Sequence, residues 1–295
     1  MTSESFDKLS RFRTMALAEG IPADDVERWL ATARPCARLD GKGDGPVVGR
    51  LGGPLMLPAG APDPWFRLAA TIDLAALPED ATDLPLPTDG HLLLFAHPDP
   101  DLDDFGYKSL GSALHIRAGT PVEERHVDFG PILGELFGEE FGEFPEGELR
   151  LRTDLSLPIH AVVHDPGPPP ITMRFPSDHR TVEQRRVWDR VLGAWERSMP
   201  DEIVHPGLQL GGYSRDENNE EDPAVLAGRE AAEAESTGDL PPSETDIRPE
   251  DWVCLAQWWH GIEGLEMAYF SWSIARQDLA EGRFDRVFAT MTWNP

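Results

Sequence analysis

Apolar residues recur at helical spacing at the start of the chain. Phe6, Leu9 and Leu17 fall at such intervals within residues 3–19, a pattern that predicts an amphipathic helix. Pro22 stands where a second helix would begin, and Pro35 stands where it would end, as expected for a residue that tolerates only the first turn of a helix. We therefore expect an N-terminal helical pair, forming an extension over residues 1–45.

Short apolar runs between turn residues dominate the rest of the chain. Runs of this length that are bounded by glycine, proline or aspartate favour buried strands over helices. They occur at residues 66–77, 91–97, 113–118 and 149–164, and again at residues 252–260, 265–274 and 286–293. Residues 181–199 instead place Val187, Val191 and Trp195 on one helical face. The pattern predicts an α+β, β-rich fold that is mostly antiparallel, with one helix bridging its two halves.

The two halves repeat one order of elements. An apolar strand, a turn, an aromatic-rich strand and a polar segment occur in LAATIDLAAL…GHLLLFAHPDPDL and again in VCLAQWWH…LEMAYFSWSIARQDL. A repeat of two strands at this large spacing differs from the short repeat length of a solenoid. We therefore expect a domain over residues 46–295, made of two related sheet units packed together, at about 46–170 and 171–295.

The charge of the chain limits its partners. Fifty-three acidic residues against 26 basic ones give a formal net charge of -27. This charge repels phosphate backbones and anionic membranes, so neither nucleic acid nor a membrane is expected as a partner. A basic protein partner or a cation would explain the charge, and so would solubility alone. Residues 214–251 hold thirteen acidic residues and three arginines, which predicts an exposed acidic loop with a short helix near residues 223–235.

The cysteine count and the N-terminus favour a cytoplasmic location. Cys36 and Cys254 are the two cysteines, and two distant cysteines do not indicate a disulfide framework. Residues 1–20 lack the apolar stretch of a signal peptide, and the chain has no run of 18 apolar residues.

The strong catalytic and metal-binding motifs are absent. The chain has no HExxH, paired CxxC or GxSxG sequence. His160 and His164 fall in a strand-like run, where residues four apart lie about 13 Å from each other and do not share one ion. The carboxylates between Asp99 and Asp104 fail the EF-hand pattern, and we interpret them as a solvated turn. We expect no cofactor and no metal, and the balance of motifs leans against an enzyme.

Several motifs occur together in an order that resembles the YwqG-like family. They are the run Gly52–Pro58, the strands LAATIDL and HLLLF, then Gly211-Gly212-Tyr213, LAQW and AYFSWSIARQDL. The resemblance covers residues 47–295. Thr71 stands where the family usually has a glutamine, whereas Gln257 fits the pattern. The family has no established reaction, and the resemblance implies an immunity-type or other protein-binding role.

The resemblance also supplies candidate binding residues in the second half. These are His205, Tyr213, Gln257, Trp259 and His260, which fall at family-like positions and could line one cleft. The alternative is structural, because buried Gln and His side chains also satisfy backbone groups at irregular strand ends. Three hypotheses follow. The chain is a module that binds a basic partner through its acidic surface, or it is a small-ligand binder or enzyme with a cleft between its halves. The third hypothesis is a purely structural or regulatory role.

Overall fold

A computed structural model gives the fold, and it describes residues 3–98, 109–127, 143–158, 194, 207–215, 222–265 and 268–293. Helices in this part of the chain are α1 (Ser3–Ala18), α2 (Ala23–Leu30), α3 (Pro223–Thr237) and α4 (Arg276–Ala280). Strands of the first half are β1 (Arg34–Asp40), β2 (Val47–Leu51), β3 (Leu55–Pro58), β4 (Arg67–Asp73), β5 (His91–Ala96), β6 (Gly111–Ile116), β7 (Val122–Arg125) and β8 (Gly147–Ser156). Strands of the second half are β9 (Gly207–Gly211), β10 (Trp252–Trp259), β11 (Tyr269–Ala275) and β12 (Phe288–Thr292).

Ten of these strands form one antiparallel sheet in the order β12-β11-β10-β9-β1-β8-β2-β4-β5-β6. The β-rich α+β class is confirmed. Strands β1 and β8 pair over their whole common length at the middle of this order, from Arg34 opposite Ser156 to Asp40 opposite Arg150. Both halves therefore contribute to one continuous sheet rather than to two separate sheet units.

The sheet curves until its two edges meet. The backbone N–H of Leu110, just before β6, donates to Ala289 O of β12 at 3.0 Å. The indole N–H of Trp272 donates to Phe95 O of β5 at 2.9 Å. Because these contacts join the first half to the second, the sheet is nearly barrel-shaped, and its inner face is removed from water.

Large aromatic side chains fill the enclosed space. Trp258, Phe270 and Trp272 are each 0% exposed, and the rings of Phe270 and Trp272 lie 4.7 Å apart. Ile72 and Leu92 reach the same core from the first half. Side chains alternate between the two faces of a strand, so the residues between these apolar positions lie on the outer face of the sheet.

Three elements cover parts of the outer face. Helix α3 packs on β10, β11 and β12, with its alanines against Trp252 and Phe288. The two-stranded ribbon of β3 and β7 buries Leu57 against Leu93 of β5. Helices α1 and α2 bury Phe12 and Trp29 in a separate cluster that includes Leu157 and Ala194.

Several sequence expectations differ from this structure. Pro35 does not end the second helix, because α2 ends at Leu30 and Pro35 already belongs to β1. Strands β1, β7 and β9 were not predicted from the apolar runs. The 214–251 segment is less exposed than expected, because α3 (Pro223–Thr237) buries an alanine face. The short helix expected near residues 223–235 is present as α3.

Other expectations fall on residues that the structure does not describe. Of the helix expected at residues 181–199, only Ala194 is described, and it is helical and buried. The acidic turn at Asp99–Asp104 and the histidines at 160 and 164 lie outside the described residues. The predicted boundary at residues 45/46 falls between β1 and β2, which both pair with β8. Among the helices described, none combines the length and the apolar character that a membrane crossing requires.

The contact between Trp272 and Phe95 gives a test of sheet closure. We expect Trp272→Phe to lower the free energy of unfolding by about 2–3 kcal/mol, because it removes a buried hydrogen bond and leaves a void. Urea denaturation measures the change. Trp65→Phe is the control, since Trp65 is 66% exposed, and we expect a change within about 0.5 kcal/mol. Equal effects of the two substitutions would contradict the role of Trp272 in closure.

Candidate functional site

A row of polar side chains crosses the outer face of the second half. The strand registers place Arg38 opposite Gln209, Gln209 opposite Gln257, Gln257 opposite Ser271, and Ser271 opposite Thr290. Apart from Arg38, each member of this polar row is at most 7% exposed. Buried polar groups require hydrogen-bond partners, so the contacts of these side chains show what the row does.

The carboxamide of Gln257 binds the backbone of Arg215. Its Oε1 accepts from the Arg215 N–H at 2.9 Å, and its Nε2 donates to Arg215 O at 2.7 Å. The second Nε2 hydrogen donates to Ser271 Oγ at 2.9 Å. Gln257 therefore pairs with a peptide unit as a neighbouring strand would, and both of its amide hydrogens are used inside the protein.

Gln209 holds the glycine turn that follows it in the chain. Its Nε2 donates to Gly211 O at 2.7 Å and to Tyr213 O at 3.0 Å. Gly211 and Gly212 have φ values of +65° and +71°, a conformation that favours glycine. The two glutamines together fix the segment 211–215 on the sheet. Gln209 was not among the candidates predicted from the sequence, although it stands two residues before a Gly-Gly pair, as Arg50 does before Gly52-Gly53.

The phenol of Tyr213 is also engaged internally. Its hydroxyl donates to Thr32 O at 2.8 Å, and the Arg34 guanidinium carbon lies 5.2 Å from the centre of the ring. Burial raises the pKa of Tyr213 to about 12. The phenol therefore stays protonated near neutral pH and acts as a hydrogen-bond donor, not as a base.

Trp259 lies on the outer face beside a buried charge cluster. It is 3% exposed, and the Arg38 guanidinium carbon lies 5.1 Å from its ring centre. Arg38 Nε lies 3.6 Å from Asp154 Oδ2, and Lys8 Nζ of α1 donates to both Asp154 oxygens, at 2.7 and 2.9 Å. The cluster attaches α1 to β8, and Trp259 covers part of it through a cation–π contact.

Burial and charge shift the pKa values of this pair. Burial lowers the pKa of Lys8, and the Asp154 charge offsets part of that effect. For Asp154, burial alone would raise the pKa, but the charges of Lys8 and Arg38 outweigh it and hold the pKa below its usual value. The carboxylate and the ammonium therefore stabilise each other in their ionised forms.

His260 faces away from the other candidates. Its ring lies edge-on to Trp258 in the core, with centres 5.3 Å apart, and its Nδ1 accepts from the Ile262 N–H at 3.1 Å. It is 1% exposed. His260 and the polar row thus lie on opposite faces of the sheet, so they do not share a cleft.

The structure brings together two of the five candidates. Tyr213 belongs to the segment 211–215 and Gln257 binds it. Trp259 lies on the same face but opposite Gly207, at the other end of β9. His260 lies inside, and His205 falls outside the described residues. None of the four described candidates lies on an exposed surface. This arrangement matches the structural alternative, in which buried polar groups satisfy backbone at irregular strand ends.

The described residues offer little other reactive chemistry. Cys36 and Cys254 are both free and buried, and burial raises the pKa of each thiol, to about 11 for Cys36. Buried protonated thiols are poor nucleophiles. Within the described ranges, no three His, Cys, Asp or Glu side chains are placed to hold a metal ion.

Comparison with known families and with curated proteins finds no match. The resemblance to the YwqG-like family therefore stays a prediction, and the assignment of function depends on the structure and charge of this chain.

The bonds of Gln257 predict a structural phenotype. We expect Gln257→Leu to lower the free energy of unfolding by about 2–4 kcal/mol, because the Arg215 backbone and Ser271 lose their partner. Urea denaturation measures this change. Gln277→Leu is the control, because Gln277 is exposed and its bond to Asp251 lies at the surface, and we expect a loss of less than about 1 kcal/mol. A Gln257→Leu protein of unchanged stability would show that its hydrogen bonds contribute nothing to the fold.

The buried pair of Lys8 and Asp154 predicts a pH dependence. Because the folded pKa of Asp154 lies below its unfolded value of about 3.9, its contribution is complete above that pH and disappears as the pH falls through the folded pKa. We expect Asp154→Asn to cost about 3–5 kcal/mol at pH 7 and to flatten the loss of stability below about pH 4. Denaturation at a series of pH values measures both effects.

The exposed pair of Arg13 and Glu27 is the matched control. Their side chains are 43% and 55% exposed, so Glu27→Gln should cost less than about 1 kcal/mol. If Asp154→Asn costs no more than Glu27→Gln, the buried pair does not attach α1.

Proposed function

We propose that this chain is a non-enzymatic protein-binding module that recognises a basic partner through an acidic surface. The proposed surface, called here the α3 surface, extends along the chain from α3 to the start of β10. It consists of the exposed residues Glu233, Asp239, Glu244, Asp246 and Glu250. The observation that carries the proposal is that this acidic segment is held in an ordered arrangement on the sheet.

The N-terminal end of α3 is fixed by its cap and by close packing. Asp222 Oδ1 accepts from the Ala224 N–H at 2.9 Å and from Ser214 Oγ at 3.1 Å. A side chain at Gly228 would come within 2.9 Å of Pro249 Cα. This close approach brings the end of the acidic segment, including Glu250, against the helix.

The C-terminal end of α3 is fixed by a buried arginine. Arg286 is 0% exposed, and its Nε donates to Asp278 Oδ2 at 2.6 Å. It also donates to Glu235 of α3 and to Pro241 O. Because these contacts order the segment before any partner arrives, binding would cost little further conformational entropy.

The charge of the surface supplies the recognition mechanism. Complementary charge raises the association rate and makes it fall with increasing salt. The described candidate residues support this function over a ligand cleft at Gln257 and His260, because those side chains are buried and lie on opposite faces. Following the YwqG-like resemblance, the partner class includes a basic toxin domain that the chain would neutralise.

We also infer that the two halves are copies of one unit. Outward from the central β1–β8 pair, the sheet order is β2-β4-β5-β6, all from the first half, on one side and β9-β10-β11-β12, all from the second half, on the other. Both β2 and β9 lead into a Gly-Gly turn with positive φ at both residues, +56° and +90° at Gly52 and Gly53. Equal order and equal turns support a duplication.

The strand registers support the same correspondence. In the first half, Arg50 stands opposite Thr71, and Thr71 opposite Leu93. In the second half, Gln209 and Gln257 occupy the matching positions. Thr71 is therefore the counterpart of Gln257, as the resemblance implies. The ribbon of β3 and β7 covers the first half where α3 covers the second, so α3 is the feature that distinguishes them.

A pair of charge variants tests the α3 surface. We expect Glu244→Lys/Asp246→Lys to weaken the binding of a fluorescent Lys/Arg-rich peptide about 10-fold at low salt, because it reverses charge at the proposed contact. Asp44→Lys/Glu79→Lys is the control, since both residues are exposed and the net charge changes equally. We expect less than about a 3-fold loss for the control. Equal losses, or binding independent of salt, would overturn the proposal.

A further inference from the structure

A second surface feature lies where the two halves meet. A cleft of about 550 Å³ opens between β6 of the first half and α4 with its following turn in the second half. This volume falls within the range of about 300–1,000 Å³ that is typical of small-molecule sites. We call it the seam cleft. Among the described residues, its lining contains none of the four described candidates and none of the α3 surface.

One wall of the seam cleft carries basic side chains. His115 and Arg117 lie two residues apart at the end of β6 and both line the cleft. Asp89 O contacts Nε2 of His115 at 2.8 Å, and because a carbonyl only accepts, Nε2 donates. Gly90 has φ +81°, and a side chain there would come within 2.1 Å of Ile116 O. The Asp89-Gly90 turn therefore fixes the histidine ring.

The opposite wall carries acidic side chains. Glu281 and Asp285 follow α4, line the cleft and are exposed. The bond between Arg286 and Asp278 of α4 fixes this wall at its base. The basic and acidic walls thus face one space, although the chain as a whole is strongly acidic.

The floor of the cleft is apolar. Leu86, Leu279 and Phe284 line it, and the ring centres of Phe284 and His115 lie 5.6 Å apart. Pro85 and Pro87 flank Leu86, and their rings fix the local φ angles. The cleft is therefore formed before any ligand binds.

The Arg117 guanidinium is the group that points most directly to a ligand. It is exposed, lines the cleft and has no side-chain hydrogen bond or ion pair within the described part of the chain. An arginine in this position matches the geometry of a carboxylate. Across the cleft, Glu281 matches an ammonium group, and Asp285 adds negative charge although its Oδ2 also lies 3.6 Å from Arg283 Nη2. The floor matches an apolar side chain.

We propose that the seam cleft binds a small zwitterion with an apolar body, of the size of an apolar dipeptide. Its carboxylate would contact Arg117, its ammonium group would contact Glu281 and Asp285, and its side chains would cover Phe284. This site goes beyond the proposed protein-binding function and does not depend on it.

Calorimetric titration with the dipeptide Leu-Leu tests the proposal on the full chain. We expect saturable binding in the millimolar range or tighter. Arg117→Gln should weaken it about 10-fold, the loss of one charge-assisted contact. The C-terminal amide of Leu-Leu should bind the unmodified protein about as weakly as Leu-Leu binds the Arg117→Gln variant. Arg117→Gln should not weaken the binding of that amide further. N-acetyl-Leu-Leu, which lacks the ammonium group, should bind the unmodified protein about 10-fold more weakly than Leu-Leu does. Glu281→Gln/Asp285→Asn should not weaken the binding of N-acetyl-Leu-Leu further.

An occlusion variant supplies an independent readout. Ala280 is exposed and lines the cleft, so Ala280→Trp should fill it and abolish binding without disturbing the core. Ala232→Trp, at an exposed position of α3, and Arg67→Gln, at an exposed strand position, should bind as the unmodified protein does. Thermal melts confirm that each variant is folded.

Two results would overturn the proposal. One is the absence of saturable Leu-Leu binding at about 10 mM, well above the Kd of a contact worth about 4 kcal/mol. The other is binding that Arg117→Gln and Ala280→Trp leave unchanged. Neither result bears on the α3 surface, whose test uses other residues and another probe.

Discussion

Closure of the ten-stranded sheet is the constraint on which the rest of the structure depends. A sheet has two faces, and curvature removes the inner one from water only if its edges meet. Trp272 both fills the enclosed core and joins the two edges, because its ring lies in the core while its indole N–H donates to Phe95 O of β5. The aromatic side chains of the second half thus fill a volume that the first half helps to enclose.

Other elements cover parts of the outer face of the sheet, and the polar side chains under them are buried for this reason. Where the ribbon of β3 and β7 covers the first half, the facing side chains are apolar, such as Leu93. In the second half, α3 packs on Trp252 and Phe288, whereas the segment 211–215 meets Gln209 and Gln257 of the polar row. Gln209 and Gln257 therefore satisfy backbone groups that no strand can reach, and Asp154 compensates the ammonium that α1 brings into the sheet.

The predictability of the fold depended on how much of each strand is apolar. Strands β4, β5, β10 and β11 were expected, because their apolar runs are long and bounded by turn residues. Strands β1 and β9 lie beside each other in the sheet, yet β1 carries Pro35 and Arg38, and β9 is five residues long. Their stability comes from pairing on both sides, which a local pattern does not contain.

The candidate site was predictable only in part, for a related reason. Family-like positions led to Tyr213 and Gln257, and these do converge on one segment. Sequence position did not indicate which face each residue would take, so His260 was grouped with side chains on the other face. Lys8 and Asp154 are 146 residues apart, and only the completed sheet brings them together.

Under the proposed duplication, equivalent positions of the two halves keep the same backbone geometry and differ in their side chains. Arg50 and Thr71 in the first half correspond to Gln209 and Gln257 in the second, and the second pair fixes a segment that leads into α3. The acidic surface would thus depend on the glutamines without containing them. A buried, saturated residue such as Gln257 can therefore influence binding strongly while contacting no partner.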